Sequence, residues 1–284
     1  MTTNMFESIK GAMTKSTQQS SLSNILKMKP GNTYVVRLIP CVKDPAKTFF
    51  HHYSHGWVSE MTGQYQSAVS PQTWGERDPI AEARYRISRT GTEEEKEKAR
   101  ALNRRENWLV NVYVVKDPDN PENEGKVKIV KFGRQIHKII MEAMEGEDAD
   151  EFGEKIFNLS KDGCNFRIKV EEQGGFATYV SSRFASPSEI PGVTDDKIQE
   201  IYEQIHDLEN VFPVKSYDEL QVMLNEHYYG KTDEPEAPVA SQQTSNTAVE
   251  EDDDLNFDDL ETKSNDTESS IDDDKVKELL DTLD

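Results

Sequence analysis

The charge of this chain is divided unevenly along its length, and that division limits which part can fold. Residues 232–284 contain 19 acidic residues against three lysines, a net charge of −16, and few apolar residues. Residues 1–231 carry 35 acidic and 30 basic residues, a net charge of −5. A strongly charged segment with little apolar surface cannot bury enough of itself to offset its conformational entropy. We therefore expect a folded body over residues 22–231 and a disordered acidic tail over 232–284.

The body is long enough to bury a sizeable core. No apolar run in the sequence approaches the roughly 20 residues needed to span a bilayer. The first residues lack the apolar stretch of a secretory signal. Cys41 and Cys164 stand far apart, so neither a disulfide framework nor a thiolate zinc site is indicated. We expect a protein of a reducing cytoplasm that makes no membrane contact.

Residues 1–21 have the pattern of a short, flexible arm. Met5, Ile9 and Met13 recur at a spacing of four, which suits an amphipathic helix, and a polar connector follows them. Two interpretations stay open, namely a frayed terminus and a docking arm for a neighbouring subunit.

Strand-like and helical patterns alternate within the body. Strands or hairpins are predicted over 32–40, 47–70, 107–116, 126–133 and 163–184, the last turning at Gly174 and Gly175. Helices are predicted over 79–106, 133–146, 194–210 and 216–230, with Thr194 as an N-cap and Ser216 and Glu219 as a capping box. In 107–116, the even-numbered residues from Trp108 to Val114 are expected to share one face. This mixture is typical of an α+β protein.

Basic and aromatic residues are concentrated around the predicted hairpin of 107–116 and 126–133. Antiparallel pairing would bring the arginines that precede Trp108 beside the lysines of the second strand. Single-stranded nucleic acid needs this combination, because cations neutralise phosphates and unstacked bases lie on ring faces. The alternative is a solvated sheet face whose aromatic residues fill a core.

The sequence offers little for metal or catalytic chemistry. His51 and His52 point to opposite faces of a strand, and no cysteine near His55 completes a tetrahedral site. We interpret the three histidines as surface or partly buried side chains. No nucleophile elbow, phosphate-binding glycine loop or HExxH motif is present. The chain is therefore not expected to be an enzyme, and a nuclease is only a weak alternative.

Two segments carry a specific resemblance. "NWLVNVYVVKDPDNPENEGKVKIVKFGRQIHK" (107–138) and "GCNFRIKVEEQGGFATYVSSRFASPSEIPGV" (163–193) resemble the single-stranded DNA-binding, helix-destabilising proteins of T-even-type bacteriophages. The similarity continues more loosely to Gly230, and arm, core and acidic tail follow the family's order. The resemblance implies an OB-fold-like β-barrel core with an attached helical subdomain and a basic cleft for single-stranded DNA.

The resemblance also implies roles for the two ends of the chain. The arm at 1–21 would bind the next protomer along the DNA and so make binding cooperative. The tail at 232–284 would recruit phage replication, recombination and repair proteins in the cytoplasm of the infected bacterial host. The arm residues expected to carry cooperativity are Lys10, Lys15, Ser16 and Thr17.

The expected DNA-binding residues combine the basic and aromatic pattern with the resemblance. The aromatic residue of the family's GFxxY segment falls on Tyr179, and basic residues ahead of its tryptophan strand fall on about Arg104 and Arg105. Val130 stands where the family has an aromatic residue, so one stacking ring is missing. The full set is Tyr85, Arg86, Arg104, Arg105, Trp108, Lys128, Lys131, Phe132, Arg134, Phe176, Tyr179 and Arg183.

The chain departs from the family at its zinc ribbon. The family typically holds zinc with one histidine and three cysteines. His55 lies near the histidine position, but the cysteine positions fall on or near Ala68, Asp78 and Ala81, and none supplies a thiolate. We predict no zinc and no other cofactor. Packing of Trp57, Trp74 and Tyr65 is expected to replace the stability that a metal would give.

The leading hypothesis is a non-catalytic protein that coats and protects single-stranded DNA without sequence preference. In this hypothesis, the acidic tail competes with DNA for the cleft. Once DNA displaces the tail, the tail recruits partner proteins. The alternative is an acidic adaptor or nucleic-acid mimic that titrates a basic partner. That alternative predicts no affinity for single strands even at low salt.

Overall fold

The computed structural model of the protein describes residues 21–231, so the predicted tail and all but the last residue of the predicted arm lie outside the described residues. The strands are β1 (Thr33–Leu38), β2 (Phe49–Val58), β3 (Tyr65–Val69), β4 (Arg105–Lys116), β5 (Val127–Phe132), β6 (Phe166–Lys169), β7 (Glu171–Gln173), β8 (Phe176–Thr178) and β9 (Arg183–Phe184). The helices are α1 (Pro79–Thr90), α2 (Glu93–Ala99), α3 (Arg134–Glu145), α4 (Asp195–Glu203) and α5 (Tyr217–His227). The predicted α+β class is confirmed. None of these helices combines the length and apolar character that a membrane span needs.

β4 is the centre of the sheet, because three strands pair with it. The strand order is β3-β2-β4-β1-β6-β9, with antiparallel neighbours, and β5 pairs with β4 as a branch. β7 and β8 form a separate hairpin that turns at Gly174 and Gly175, as predicted, and both glycines have the positive φ that this residue adopts without strain. Among the residues described, no ladder closes the branched sheet into a barrel.

The middle of β4, residues 109–114, is buried on both faces. The even-numbered residues from Val110 to Val114 face the main core, which α3 covers, and this confirms the predicted alternation. Leu109 and Tyr113 point the other way and are covered by residues of the segment 201–211. Because each buried aliphatic or aromatic side chain contributes about 1.5–3 kcal/mol, two-sided burial makes β4 the best-anchored strand of the sheet.

Two predicted helices differ from the structure at their ends. The helix predicted over 194–210 ends at Glu203, because the Asn111 side chain donates to His206 O and accepts from His206 N–H, both at 2.9 Å. These bonds use backbone groups that a longer helix would need for itself. The segment predicted as mostly helical over 79–106 forms α1, α2 and a short 3-10 turn, and its last residues begin β4.

Helix starts follow the predicted caps. The Thr194 side chain accepts from Lys197 N–H at the start of α4. Ser216 and Glu219 form a reciprocal capping box at the start of α5. Because a good N-cap contributes about 1 kcal/mol, these local signals fix where each helix begins.

A buried arginine ties β1 to the loop at 158–165. Arg37 is fully buried, and its guanidinium donates to Asn158 O at 2.6 Å, Ser160 O at 3.1 Å, Ser188 O at 2.8 Å and Asn165 Oδ1 at 3.0 Å. Burial lowers the pKa of Arg37 to about 10. Gly163 permits this approach, because a Cβ there would lie 1.7 Å from Asn158 O. The loop is therefore held by a hydrogen-bonded cation rather than by apolar packing alone.

Candidate nucleic-acid interface

Strand register places a row of rings across β2, β4 and β5. His51 pairs with Trp108, and Trp108 pairs with Phe132, so the three side chains lie on one face of the sheet. The Trp108 ring is half-buried and stacks on His137 of α3 at 4.1 Å between ring centroids. His51 lies 4.9 Å from Trp108, and Tyr53 lies 4.9 Å from His51, edge-on.

We call Tyr53, His51, Trp108 and His137 the aromatic ledge. His51 is exposed and the other three side chains are half-buried, so part of each ring faces solvent. Phe132 is only 4% exposed and lies 6.1 Å from Trp108, on the core side. The structure therefore places Phe132 beneath the ledge, as a support for Trp108.

Two arginines flank the ledge. The Arg104 guanidinium lies 3.9 Å over the ring of Tyr53 and donates to Gln72 Oε1 at 2.8 Å. On the α3 side of the ledge, Arg134 donates to Glu106 Oε2 at 2.6 Å. Stacked arginine suits both bases and phosphates, because its planar cation offers a flat face and a fork of N–H donors. The ledge is therefore flanked by two cations.

One carboxylate lies among these groups. Glu106 contacts both Arg134 and His51, the latter at 2.8 Å. Burial alone would raise the pKa of Glu106, but the hydrogen bonds from Arg134 and His51 outweigh it and the net shift is downward. Glu106 is thus held ionised and paired with Arg134.

The β7–β8 hairpin docks beside the start of α3. Gln135 Oε1 accepts from Tyr179 N–H at 2.9 Å and from the Thr178 hydroxyl at 3.3 Å. Tyr179 is half-buried against the main core, and burial raises its pKa. Phe176, at the tip of the hairpin, is 56% exposed. The structure thus places Tyr179 and Phe176 around α3, the helix that also carries Arg134 and His137.

Other predicted residues lie on the opposite face of the same strands. Because side chains alternate along a strand, Arg105 and Lys131 point away from Trp108. Arg105 donates to the Tyr65 hydroxyl at 2.7 Å, and the Lys131 ammonium lies 5.4 Å over the ring of Phe212. Partial desolvation and the charge of Arg105 lower the pKa of Lys131. The sequence neighbours Arg104 and Arg105 thus serve different surfaces.

The remaining predicted residues lie on other elements. Tyr85 and Arg86 are exposed on α1, and Lys128 donates to Ser23 O at 3.3 Å. Arg183 of β9 pairs with Arg167 of β6; both are exposed, on the side of the sheet away from the main core. The arm residues Lys10, Lys15, Ser16 and Thr17 lie outside the described residues.

Sequence reasoning missed three members of the ledge, namely His51, Tyr53 and His137. The alternation of β2 places His51 and Tyr53 on the same face, and this signal was present in the sequence. The register that sets His51 opposite Trp108 was not, because it depends on pairing between distant strands. His137 follows Arg134 by three residues, so both lie on one side of α3.

The histidine interpretation needs correction. His52 and His55 are fully buried, whereas surface or partly buried side chains were predicted. Trp57 packs in an apolar cluster with α1 and α5, as expected, but Trp74 is 43% exposed and Tyr65 is 58% exposed. Within residues 21–231, no group of three or more His, Cys, Asp or Glu side chains is arranged to hold a metal ion.

Comparison with known proteins assigns the family. The family model described as "gp32 DNA binding protein like" matches residues 29–227, more than half of the chain. The chain belongs to this family. It is 30% identical to the single-stranded DNA-binding protein of Enterobacteria phage T4 over 239 residues, which cover 82% of this chain and 77% of the relative. The single-stranded DNA-binding protein of Enterobacteria phage T2 matches with the same identity and coverage.

Membership in this family confirms the resemblance inferred from residues 107–138 and 163–193. The matched region runs from before β1 to the end of α5, so it contains the whole aromatic ledge. It relates the chain to single-stranded DNA-binding proteins rather than to a family of enzymes.

Proposed function

We propose that this chain binds single-stranded DNA without sequence preference and coats DNA intermediates of phage replication, recombination and repair. The observation that carries the proposal is the aromatic ledge, which Arg104 and Arg134 flank. Family membership and the similarity to two phage single-stranded DNA-binding proteins support it.

In this proposal, bases stack on the ledge while the flanking arginines contact phosphates. Stacking of a base on an aromatic side chain contributes about 1–3 kcal/mol and tolerates any base, because every base has a π-face. A duplex hides its base faces, so the ledge selects single strands. Tyr179 and Phe176 extend the aromatic surface past the start of α3, and Arg134 exchanges Glu106 for a phosphate.

The proposal includes the organisation of the whole chain. The core at 22–231 is an OB-fold-like barrel with a helical subdomain, supported by the antiparallel order around β4. The arm at 1–21 binds the next protomer on the DNA. The tail at 232–284 competes with DNA as a polyanion and recruits phage proteins in the cytoplasm of the infected host.

Fluorescence anisotropy with a labelled dT oligonucleotide, at rising NaCl concentrations and with and without magnesium, tests the binding function. We expect affinity for the single strand, weaker affinity for a duplex of equal length, and a loss of affinity as salt rises. Absence of affinity at low salt would overturn the proposal and favour the acidic adaptor. Magnesium-dependent loss of the strand would favour a nuclease.

Deletions test the two ends separately. Removing residues 232–284 should raise affinity for single strands, because the competing polyanion is gone. Removing residues 1–17 should spare binding to a short oligonucleotide and abolish clustering on long strands. Unchanged affinity in the first case, or equal losses on short and long strands in the second, would refute the assigned role of that end.

A further inference from the structure

Polar side chains at the family's zinc positions form a buried hydrogen-bonded cluster in this chain. His55 and Asp78 are fully buried, and His55 Nε2 lies 2.9 Å from Asp78 Oδ2. His55 Nδ1 lies 2.9 Å from the carbonyl oxygen of Leu102. The buried Ser70 hydroxyl donates to Asp78 Oδ2. We call His55, Ser70 and Asp78 the buried polar cluster.

The partners of His55 occupy both of its ring nitrogens. A carbonyl oxygen only accepts, so Nδ1–H donates to Leu102. Burial alone would raise the pKa of Asp78, but the hydrogen bond and charge of His55 and the Ser70 hydroxyl outweigh it, and the net shift is downward. His55 Nε2 is thus occupied by the Asp78 carboxyl group and Nδ1 by the Leu102 carbonyl, so neither ring nitrogen is free to ligate a metal.

The residues around His55 do not fit zinc. Zinc takes four nitrogen, sulfur or carboxylate ligands in structural sites. Ala68 and Ala81 supply none, and Asp78 Oδ1 accepts from the backbone N–H of Ile80 and Ala81. The two side chains that could ligate zinc, His55 and Asp78, are thus already hydrogen-bonded to protein groups.

We propose that the His55–Asp78 pair replaces a metal ion as the cross-link of this subdomain, and that the cluster positions the Arg104 end of the aromatic ledge. The pair joins β2, the start of α1 and the segment that leads into β4. These are separate elements that a single bound ion would otherwise hold together.

Ser70 connects the cluster to the ledge. Its hydroxyl oxygen accepts from Gln72 N–H at 3.3 Å and so caps the short turn at Pro71–Trp74. From that turn, Gln72 Oε1 accepts from Arg104, and the Thr73 hydroxyl accepts from Tyr53 N–H at 3.0 Å. The cluster therefore fixes the turn that orients the Arg104–Tyr53 pair.

Metal analysis of the full chain, purified from zinc-supplemented culture, tests the first half. We expect substoichiometric zinc and the same Tm with and without EDTA. One zinc per chain, with a fall in Tm when EDTA removes it, would overturn the proposal.

Coupling between the two partners tests the cross-link itself. His55→Gln and Asp78→Asn should each lower Tm by about 10 °C, because each leaves a buried partner without its counterpart. In the double variant, the decrease in Tm should be clearly smaller than the sum of the decreases in the two single variants. Additive losses would contradict the pair. If a single variant fails to fold, Ser70→Ala serves as the alternative test. It removes only one hydroxyl of the cluster and should lower Tm by a smaller amount.

DNA affinity tests the positioning half, which rests on the proposed function. At a temperature below the Tm of the variant, Ser70→Ala should weaken binding to a short dT oligonucleotide severalfold. Adding Arg104→Ala to this variant should reduce the affinity by less than Arg104→Ala does in the unmodified chain. Ser182→Ala, which removes another buried hydroxyl, is the matched control and should leave the Arg104 effect unchanged. Full additivity of Ser70→Ala and Arg104→Ala would refute positioning. No DNA binding by the unmodified chain would refute the proposed function and leave the cross-link standing.

Discussion

Two adjacent histidines show how differently the two faces of one strand are used. His51 belongs to the aromatic ledge and bonds Glu106 at the surface. His52 points the other way, is fully buried between Phe50 and Phe212, and has no hydrogen-bond partner among the described residues. Both faces carry rings and cations. What separates the two histidines is covering, because Phe212 packs against His52, whereas His51 remains exposed.

The largest expected effect of this difference is on acid stability. Burial and, secondly, the charge of Lys131 lower the pKa of His52 to about 4 from an ordinary value of 6.5. Between pH 4 and pH 6.5, His52 therefore binds a proton in the unfolded chain but not in the folded chain. Stability from neutral His52 is therefore fully present above pH 6.5 and is lost as pH falls to about 4, about 3 kcal/mol in total.

Urea unfolding at pH 7 and pH 4.5 measures this effect. His52→Phe should reduce the loss of unfolding free energy between the two pH values, because no buried imidazole remains to be protonated. His51→Gln, on the exposed face, is the control and should keep the original loss. An identical pH dependence in His52→Phe and the unmodified chain would show that His52 does not titrate as described.

A smaller effect should separate the cations of the two faces. Arg134→Ala removes a phosphate contact, so we expect about 1 kcal/mol weaker binding and a salt slope reduced by about one. Lys131→Ala, on the face opposite the ledge, should leave both quantities nearly unchanged, because the Lys131 ammonium lies over the ring of Phe212. Oligonucleotide titrations at several NaCl concentrations give both values. Equal losses would mean that the two faces form one DNA-binding surface.

The smallest effect concerns the carboxylate within the ledge. Glu106→Gln removes the charge that competes with phosphate for Arg134, so affinity for single strands should rise a few-fold at low salt. Glu171→Gln is the matched control, because it removes the carboxylate that pairs with Lys169 on β6. It should change the affinity for single strands less than Glu106→Gln does. A fall in affinity for Glu106→Gln would mean that Glu106 orients Arg134 and does not compete.

The sequence was sufficient for the parts of the fold that local patterns specify. The alternation in β4, the turn at Gly174 and Gly175, and the caps at Thr194 and Ser216 follow from nearby residues. The early end of α4 did not, because it depends on a bond from Asn111, far away in sequence. Long-range hydrogen bonds of this kind have no local signature.

The candidate site was only partly predictable for the same reason. Trp108 and Arg134 follow from composition and resemblance. The register that adds His51 and buries Phe132 follows from strand pairing, which a one-residue shift would reverse. The buried pair of His55 and Asp78 depends on contacts between β2 and α1, which residue spacing does not reveal.

Fluorescence of Trp108 tests most directly whether bases stack on the ledge. In the variant Trp57→Phe/Trp74→Phe, Trp108 is the one remaining tryptophan of the chain. Anisotropy of labelled poly-dT, read in the same titration, reports binding independently. We predict that Trp108 emission is strongly quenched in proportion to the DNA bound, because a base contacts the exposed part of its ring. Binding with no change in Trp108 emission would contradict the ledge as the DNA-binding surface.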